Sequence, residues 1–267
     1  MNELKINISI VIITYNESNC IENALKSVYY DFSEIIILDS FSTDSTIDIC
    51  KKYTDKIFYR KFDNFCNQRN YAINKITFKN KYIFFIDSDE IVSKELINEL
   101  KNINLFEFDA YKVKRKFYWY GKWIKYGGYY PLYLMRIGNK SKIYYQGIVN
   151  EHMTIKNGKT YILNNHVSDF FDKPFKAWIN KHILYSKLEA EKHFEKNASF
   201  TENYKNWQKL PLLIRPTFLF IYRYFFKQGF RLGISGFIYI FFHTFIYRTY
   251  IDFLILRILI SKYFKLS

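Results

Sequence analysis

Three short, almost wholly apolar runs constrain the fold of this chain more than any other feature. They are ISIVII at 8–13, EIIILD at 34–39 and YIFFID at 82–87, and each leads through acidic or hydroxyl residues into a segment with helical spacing. Continuous rather than alternating hydrophobicity is typical of strands that are buried on both faces. The sequence therefore predicts an α/β fold, with an open parallel sheet covered by helices over residues 1–104.

Polar side chains that follow these strands are expected to meet at one edge of the sheet. In open α/β sheets, ligands bind at the carboxyl ends of the strands, where the strand order reverses. The polar residues at those ends are Tyr15, Glu17, Asp39, Asp44, Asp87 and Asp89. The chain has neither a GxGxxG nor a GxxxxGK(S/T) motif, which excludes dinucleotide oxidoreductases and P-loop enzymes.

The Asp87-Ser88-Asp89 sequence indicates a divalent cation site. Residues two apart on a strand face the same way, so both carboxylates can reach one ligand. Hard oxygen donors suit Mg²⁺ or Mn²⁺, with diphosphate oxygens and water as the other ligands. The alternative is an ordinary acidic turn before the helix that follows Ser93. Asp39, at the end of the second strand, is either a turn residue or an acceptor for a base imide or a ribose hydroxyl.

The C-terminal part of the chain is basic and rich in aromatic residues. Residues 105–165 alternate strand and turn patterns, residues 172–200 are helical, and residues 204–267 carry ten Lys and Arg against one acid, Asp252. Such interleaved charge suits helices that lie in a lipid headgroup region; the alternative is a helical appendage whose basic residues form its solvated side. The stretch 232–247 has no formal charge but is shorter than the about 20 residues that a membrane span needs, so we expect no transmembrane helix.

Charge and cysteine content narrow the partners and the compartment. The 40 Lys and Arg residues exceed the 25 Asp and Glu residues, which gives a net charge of +15 and favours an anionic partner. This charge is also compatible with nucleic-acid binding, but no recognition motif is present and the acidic edge of the sheet would repel a phosphate backbone. Three cysteines without CxxC spacing exclude a disulfide scaffold and fit a reducing compartment.

Five motifs, in order along the chain, resemble a known family. They are TYNE at 14–17, DSFSTD at 39–44, NQRN at 67–70, DSD at 87–89 and GIVNEH at 147–152. The chain is similar to family 2 inverting glycosyltransferases, and within them to the branch of the lipopolysaccharide core β-1,4-glucosyltransferases, which QGFRLGISG at 228–236 also resembles. The resemblance implies a GT-A nucleotide-sugar-binding domain at 1–203, with a nucleotide-binding half (1–104) and an acceptor half (105–203), followed by a membrane-associating helical extension at 204–267.

The resemblance also implies roles for the matching residues of the nucleotide-binding half. The nucleoside pocket would be lined by Thr14, Tyr15 and Glu17, with Asp39 reading the base. Arg69 would face the base or a phosphate, unless it is a solvated helix charge. Asp87 would bind ribose or metal, and Asp89 would be the principal ligand of Mn²⁺ or Mg²⁺.

In the acceptor half, Glu151 matches the family's catalytic base, although Asn150 stands where the family has His. The alternative is that Glu151 forms a surface salt bridge. His152 is either a chance neighbour of Glu151 or a relocated imidazole. His166 could complete the metal shell, contact the diphosphate or be structural. Arg136 resembles an arginine near the acceptor or the phosphates. Three aromatic residues could stack on sugar rings or pack in a core, namely Trp119, Trp123 and Tyr126.

The expected activity is the metal-dependent transfer of a sugar, with inversion, from a nucleotide-diphosphate donor to a glycolipid or oligosaccharide acceptor. The resemblance to the family favours a UDP-sugar as the donor. The basic extension favours a peripheral position on the cytoplasmic face of the inner membrane. This chemistry needs a base for the acceptor hydroxyl and a cation for the diphosphate. Two alternatives stay open. The first is a sugar nucleotidyltransferase, although that class has a Gly-rich phosphate loop after the first strand, where this chain has TYNE. The second is an inactive homologue that serves as a membrane scaffold.

Overall fold

The computed structural model describes residues 5–147, 151–194 and 210–266. Its first part alternates strands and helices, as the apolar runs predict. The elements are β1 (Ile6–Thr14), α1 (Ile21–Lys26), β2 (Phe32–Asp39), α2 (Thr46–Cys50), β3 (Ile57–Tyr59), α3 (Phe65–Lys75) and β4 (Tyr82–Asp87). Strand β1 pairs in parallel with β2 and with β4, and β2 pairs in parallel with β3.

The second part adds mostly antiparallel strands. Its elements are β5 (Glu90–Val92), α4 (Lys94–Asn102), β6 (Ala110–Trp119), β7 (Lys122–Trp123), β8 (Leu132–Asn139), β9 (Ile143–Gln146), β10 (His152–Ile155) and β11 (Thr160–Phe171). The main sheet runs in the order β3-β2-β1-β4-β8-β6-β11-β5, while β9 and β10 form a separate two-stranded sheet. The predicted α/β fold, a parallel-rich sheet flanked by helices, is confirmed.

Burial on both faces of the sheet explains the continuous apolar runs. Along β1, Ile10 and Ile12 pack in one core cluster, whereas Val11 packs in a second cluster with Ile36 and Phe85. Adjacent strand residues point to opposite faces, so each face of β1 has its own apolar layer. A strand in this position has no solvent side, and the sequence shows no polar alternation for that reason.

Two compact units divide the chain. The first comprises the residues up to Tyr118 together with Pro131–Phe171, and the second comprises Trp119–Tyr130 and the residues from Asp172 onward. The expected domain boundary after residue 203 lies outside the described residues. Helix α5 (Phe175–Lys192) belongs to the second unit, because the Tyr247 hydroxyl donates to Glu189 at 2.7 Å and Arg248 donates to the same carboxylate at 2.8 Å.

The second unit continues as a series of helices. They are α6 (Arg215–Ile221), a π-helical turn (Tyr222–Phe226), a 3₁₀ turn (Gly229–Leu232), α7 (Gly233–Ile240), a π-helical segment (Phe241–Ile246) and α8 (Tyr247–Leu266). Gly229–Phe264 is one helical stretch of 36 residues. Its most apolar window has a mean hydropathy of 1.3 and is 33% buried, so the length and composition of the helix allow a membrane span. The expectation of no transmembrane helix rests on the short uncharged stretch 232–247, but the helix continues beyond it through Arg248.

Candidate active site

The carboxyl ends of the three central strands meet at one edge of the sheet. Thr14 at the end of β1 is in register with Asp39 at the end of β2, and Ile13 is in register with Asp87 at the end of β4. The loops that follow these strands therefore start side by side. The structure places the backbone of the TYNE, DSFSTD and DSD motifs at this common edge, as the parallel pattern predicts.

The loops after β1 and β2 are joined by side-chain hydrogen bonds. The Asn16 N–H donates to the Ser42 hydroxyl at 2.8 Å, and the Thr43 N–H donates back to the Asn16 side-chain oxygen at 2.8 Å. Asn16 adopts a left-handed conformation with φ of 53°, which Asn tolerates better than most residues. The Glu17 N–H donates to the Thr46 hydroxyl at 2.8 Å. The two motifs thus form one connected surface.

Asp39 stabilises its own loop in this structure. Its side chain is buried and accepts hydrogen bonds from the Ser42 N–H at 2.7 Å and from the Ser42 hydroxyl at 2.5 Å. Asp44 has a similar local role. Partial burial raises its pKa, but hydrogen bonds from Thr46 and Ser18 outweigh this effect and lower the pKa of Asp44 to about 2. The turn-residue interpretation of Asp39 therefore has direct geometric support, and its contact with a base stays a prediction.

Asp87 lies between two arginines. Its Oδ1 accepts from Arg69 Nη2 at 2.6 Å, and its Oδ2 accepts from Arg136 Nη2 at 3.1 Å. Burial opposes ionisation, but the guanidiniums of Arg136 and Arg69 outweigh it and hold the pKa of Asp87 well below its usual range. Asp87 is therefore a carboxylate whose charge is balanced within the protein.

Arg136 also binds Glu90, a residue that the sequence analysis did not select. Arg136 Nη2 donates to Glu90 Oε1, and Glu90 Oε2 accepts the Asp87 N–H at 3.0 Å. The Glu90 side chain is 0% exposed. Burial, opposed by Arg136 and aided by the charge of Asp87, raises the pKa of Glu90 to about 7. Arg136 is thus an interior ion-pair residue in this structure, whereas the resemblance implied that it faces phosphates or acceptor.

Arg69 connects this cluster to Glu151. Arg69 Nη1 donates to Glu151 Oε1 at 2.6 Å, while its other terminal nitrogen holds Asp87. The Arg69 side chain is 4% exposed and that of Glu151 is 18% exposed, so the interpretation of Arg69 as a solvated helix charge is wrong. The structure brings the predicted base and the end of β4 together through one guanidinium. Asn150, which precedes Glu151, lies outside the described residues.

Tyr145 lines the same cluster and was also missed. Arg69 lies over its ring, with 5.2 Å between the guanidinium carbon and the ring centroid. Burial raises the pKa of Tyr145 to about 12, and its hydroxyl has no hydrogen-bond partner within the described part of the chain. A sequence signal for Glu90 was present: Arg136 interrupts the apolar strand LYLMRIG, and an arginine in such a strand requires buried acidic partners.

The remaining residues of the nucleotide-binding half are placed as follows. Asp89 is half-buried in the turn after β4, and its carbonyl accepts the Phe170 N–H at 3.1 Å. Thr14 is buried, whereas Tyr15 is 55% exposed at the end of β1. The Glu17 carboxylate accepts from the Cys20 thiol at 3.2 Å. Their contacts with a nucleoside stay predictions.

The two histidines lie on antiparallel strands, His166 on β11 and His152 at the start of β10. The Ser93 N–H donates to the His166 carbonyl, whereas Asp89 pairs with Phe170, four residues further along β11. At roughly 3.3 Å per strand residue, about 13 Å of strand separates His166 from the position opposite Asp89. The structure therefore does not support His166 as a shared metal ligand. His152 is exposed at the start of β10, with its Nε2 3.0 Å from the Gln146 amide nitrogen.

The donor set limits how a metal could bind. Among residues 5–147, 151–194 and 210–266, no three Asp, Glu, His or Cys side chains are grouped so that they could hold a metal ion. Both oxygens of Asp87 are already bound by arginines. Magnesium is often held by one or two carboxylates, with substrate phosphates and water as further ligands. The described residues therefore do not form a cage of protein ligands alone, and the role of Asp89 as the main carboxylate stays a prediction.

The aromatic residues considered for sugar stacking belong to the second unit. Trp119 is 2% exposed, and its ring lies 5.3 Å from Trp178 and 5.1 Å from Tyr239, measured between centroids. Arg231 lies over Tyr126 at 4.4 Å. Core packing therefore accounts for Trp119.

Comparisons with known proteins agree with the sequence motifs. The profile of Glycosyl transferase family 2 matches residues 9–158. Glycosyltransferase SunS of Bacillus phage SPbeta is 49% identical over 87 residues, which cover 32% of this chain and only 20% of SunS. Uncharacterized glycosyltransferase RP128 of Rickettsia prowazekii is 27% identical over 245 residues, or 86% of this chain and 80% of RP128. The structure of S. aureus TarS 1–349 in complex with UDP is 18% identical, with a TM-score of 0.43 over 86% of this chain and 75% of TarS 1–349.

Proposed function

This chain belongs to glycosyl transferase family 2, and we propose that it transfers a sugar, with inversion, from a nucleotide-diphosphate donor to a lipid-linked or lipopolysaccharide-type oligosaccharide. UDP-sugars are the first donors to test. One observation carries the proposal: Glu151 is held beside Asp87, at the ligand-binding edge of the sheet, by a single buried arginine. A carboxylate at this position can supply the base that an inverting sugar transfer needs for the acceptor hydroxyl.

Glu151 is suited to act as the base. An inverting transfer requires a group that takes the proton of the acceptor hydroxyl on the sugar face opposite the leaving diphosphate. Glu151 keeps 18% side-chain exposure, whereas Glu90 is fully buried and Asp87 is bound by two arginines. Glu151 is thus accessible to solvent and held by one arginine, whereas Asp87, although 35% exposed, is held by two.

A divalent cation would stabilise the negative charge that develops on the leaving diphosphate. Asp89 would hold Mn²⁺ or Mg²⁺ together with the diphosphate oxygens. The protein's own contribution is to fix the end of β4: Asp87 is bound by Arg69 and Arg136, and Glu90 accepts the Asp87 N–H. This bracing orients the turn that carries Asp89 before any ligand arrives.

Asp89→Asn is expected to abolish a metal-dependent stabilisation by nucleotide. A ligand at about 100 times its dissociation constant stabilises a protein by about 2.7 kcal/mol, which corresponds to roughly 5–10 °C in melting temperature for a chain of this size. We expect UDP with Mn²⁺ to give the wild type such a shift and to give Asp89→Asn none, as measured by differential scanning fluorimetry.

The control for this experiment is Asp48→Asn, which removes a carboxylate whose side chain is 79% exposed. It should keep the full shift. An undiminished shift in Asp89→Asn would assign the cation to other residues. A panel of UDP- and GDP-sugars, assayed for metal-dependent donor hydrolysis, tests the activity itself; no hydrolysis and no transfer with any donor would support an inactive homologue.

We also place the protein at the cytoplasmic face of the inner membrane. The second unit exposes many large apolar side chains from its helices, including Phe218, Tyr222, Phe225, Phe226, Phe230, Ile234, Phe253, Ile260, Tyr263 and Phe264. Exposed basic residues lie among them, namely Lys227, Arg231, Arg257 and Lys262. Asp252, the acid of this region, is buried with Arg215, whose Nε lies 2.9 and 3.0 Å from its two oxygens. A surface of exposed apolar side chains with basic side chains among them is suited to bind an anionic lipid surface.

Phe226→Glu is expected to weaken binding to anionic vesicles by about tenfold or more. Phe226 is 74% exposed, and inserting an aromatic side chain into lipid contributes about 1.5–3 kcal/mol to binding. Glutamate loses this contribution, and its negative charge is repelled by anionic lipid. Flotation with vesicles of phosphatidylglycerol and phosphatidylcholine measures the effect. Phe106→Glu, at a 68% exposed position of the first unit, is the matched control. Equal binding by both variants would remove this surface from the membrane contact.

A further inference from the structure

One face of helix α3 is bonded to the β9–β10 hairpin. Cys66, Arg69 and Asn70 are three and four residues apart, so they share that face. The Asn70 side chain binds both backbone groups of Tyr145: its amide donates to the carbonyl at 2.9 Å, and its oxygen accepts the N–H at 2.8 Å. The Cys66 thiol also donates to the Tyr145 carbonyl at 3.2 Å. A single turn of helix therefore fixes the backbone at one residue of β9.

This contact lies close to Glu151. In the hairpin, Tyr145 pairs with Met153 and Gln146 pairs with His152, and Glu151 directly precedes β10. The hairpin is a sheet of its own, so no backbone ladder holds it to β4 within the described residues. Apolar packing of Tyr145 and Met153 keeps the hairpin against the core. The short turn from Asn139 to Ile143 fixes one end of the hairpin, and the hydrogen bonds from α3 add a directional restraint at Tyr145.

We propose that Asn70 and Arg69 are positioning residues for Glu151: Asn70 sets the register of the hairpin against α3, and Arg69 holds the Glu151 carboxylate at the end of β4. This inference rests on the proposed role of Glu151 as the base. It assigns Arg69 and Asn70 of the NQRN segment to the alignment of the catalytic base, whereas the resemblance implied that Arg69 faces the nucleobase or a phosphate. The two residues act from adjacent positions on the same helix, one on the backbone of the hairpin and one on the side chain.

Asn70→Ala is expected to lower kcat about 10- to 100-fold and to leave the KM for the donor within about twofold, since a misplacement of 1 Å can cost a factor of about 10². Asn70→Asp keeps the oxygen that accepts the Tyr145 N–H but loses the N–H that donates to the Tyr145 carbonyl, so it should also lower kcat. This variant tests the role of Asn70 if Asn70→Ala folds poorly. Asn67→Ala is the control, because Asn67 is exposed on the same helix and its amide donates to Asp63. The assay uses the donor sugar that the wild type turns over.

Hydrogen–deuterium exchange of the full chain separates the inference from the proposed function. We expect the Tyr145 amide to exchange at least about tenfold faster in Asn70→Ala than in Asn67→Ala, with or without activity. Wild-type kcat in both Asn70 variants would overturn the inference and leave the proposed function standing. A wild type without transfer activity would overturn the proposed function, and unchanged exchange at residues 143–146 and 152–155 would then overturn the positioning role as well.

Discussion

Glu151→Gln is expected to lower kcat by about 10²- to 10⁴-fold, the range that general base catalysis contributes. Glutamine has nearly the same shape and can still accept the hydrogen bond from Arg69 that the Glu151 carboxylate accepts at 2.6 Å. The substitution therefore removes the proton acceptor and keeps the local structure. Donor binding should be unchanged, since Glu151 is proposed to act on the acceptor. Initial rates of transfer and the UDP–Mn²⁺ melting shift measure the two effects separately.

Glu107→Gln provides the control for charge alone, because Glu107 is an exposed carboxylate in the same unit. It should retain wild-type kcat. A Glu151→Gln enzyme that still turns over at more than about a tenth of the wild-type rate would show that the base lies elsewhere. Asp87 and Glu90 are poor substitutes in the structure, because arginines bind the first and burial removes the second from solvent.

Arg136→Met is expected to destabilise the protein by about 3–5 kcal/mol, the usual cost of removing one partner from a buried ion pair. Arg136 is the residue that binds both Asp87 and Glu90. Methionine fills much of the volume, but it leaves the fully buried Glu90 without its cation and leaves Asp87 with Arg69 as its remaining arginine. Urea unfolding followed by circular dichroism measures the loss, with ΔG obtained by linear extrapolation.

Two further variants define what the Arg136 result means. Lys61→Met removes an exposed basic side chain of the same unit and should change the free energy of unfolding by less than about 0.5 kcal/mol. The double variant Arg136→Met with Glu90→Gln should recover part of the loss, because Glu90, the acid left without a cation, is then neutral while Asp87 keeps its ion pair with Arg69. A loss below about 1 kcal/mol in Arg136→Met would contradict the buried network.

The strands and their common edge could be predicted because the necessary information is local. Each of β1, β2 and β4 is a continuous apolar run, and parallel strands bring their carboxyl ends together whatever the rest of the chain does. Asp39 and Asp87 were selected on that basis alone. The family motifs added Glu151, whose link to the same edge runs through Arg69.

The partners of these residues could not be predicted, since they come from distant parts of the chain. Arg136 reaches Asp87 and Glu90 from β8, and Asn70 reaches Tyr145 from α3. Spacing rules describe one element and say nothing about which elements pack together. The same limit affected the C-terminal helices: the uncharged stretch 232–247 was judged by its own length, but Arg248 at its end is paired with Glu189 on α5 and the helix continues.

Opposite charges alternate from Glu151 through Arg69, Asp87 and Arg136 to Glu90, and this order has an evolutionary consequence. Each member neutralises its neighbours, so replacing one residue leaves an uncompensated charge on the next. Lineages that change this series should therefore do so at linked positions, with an acid and an arginine lost or exchanged together. In an alignment of relatives, we expect positions 69, 87, 90, 136 and 151 to covary, while the neighbouring exposed positions drift independently.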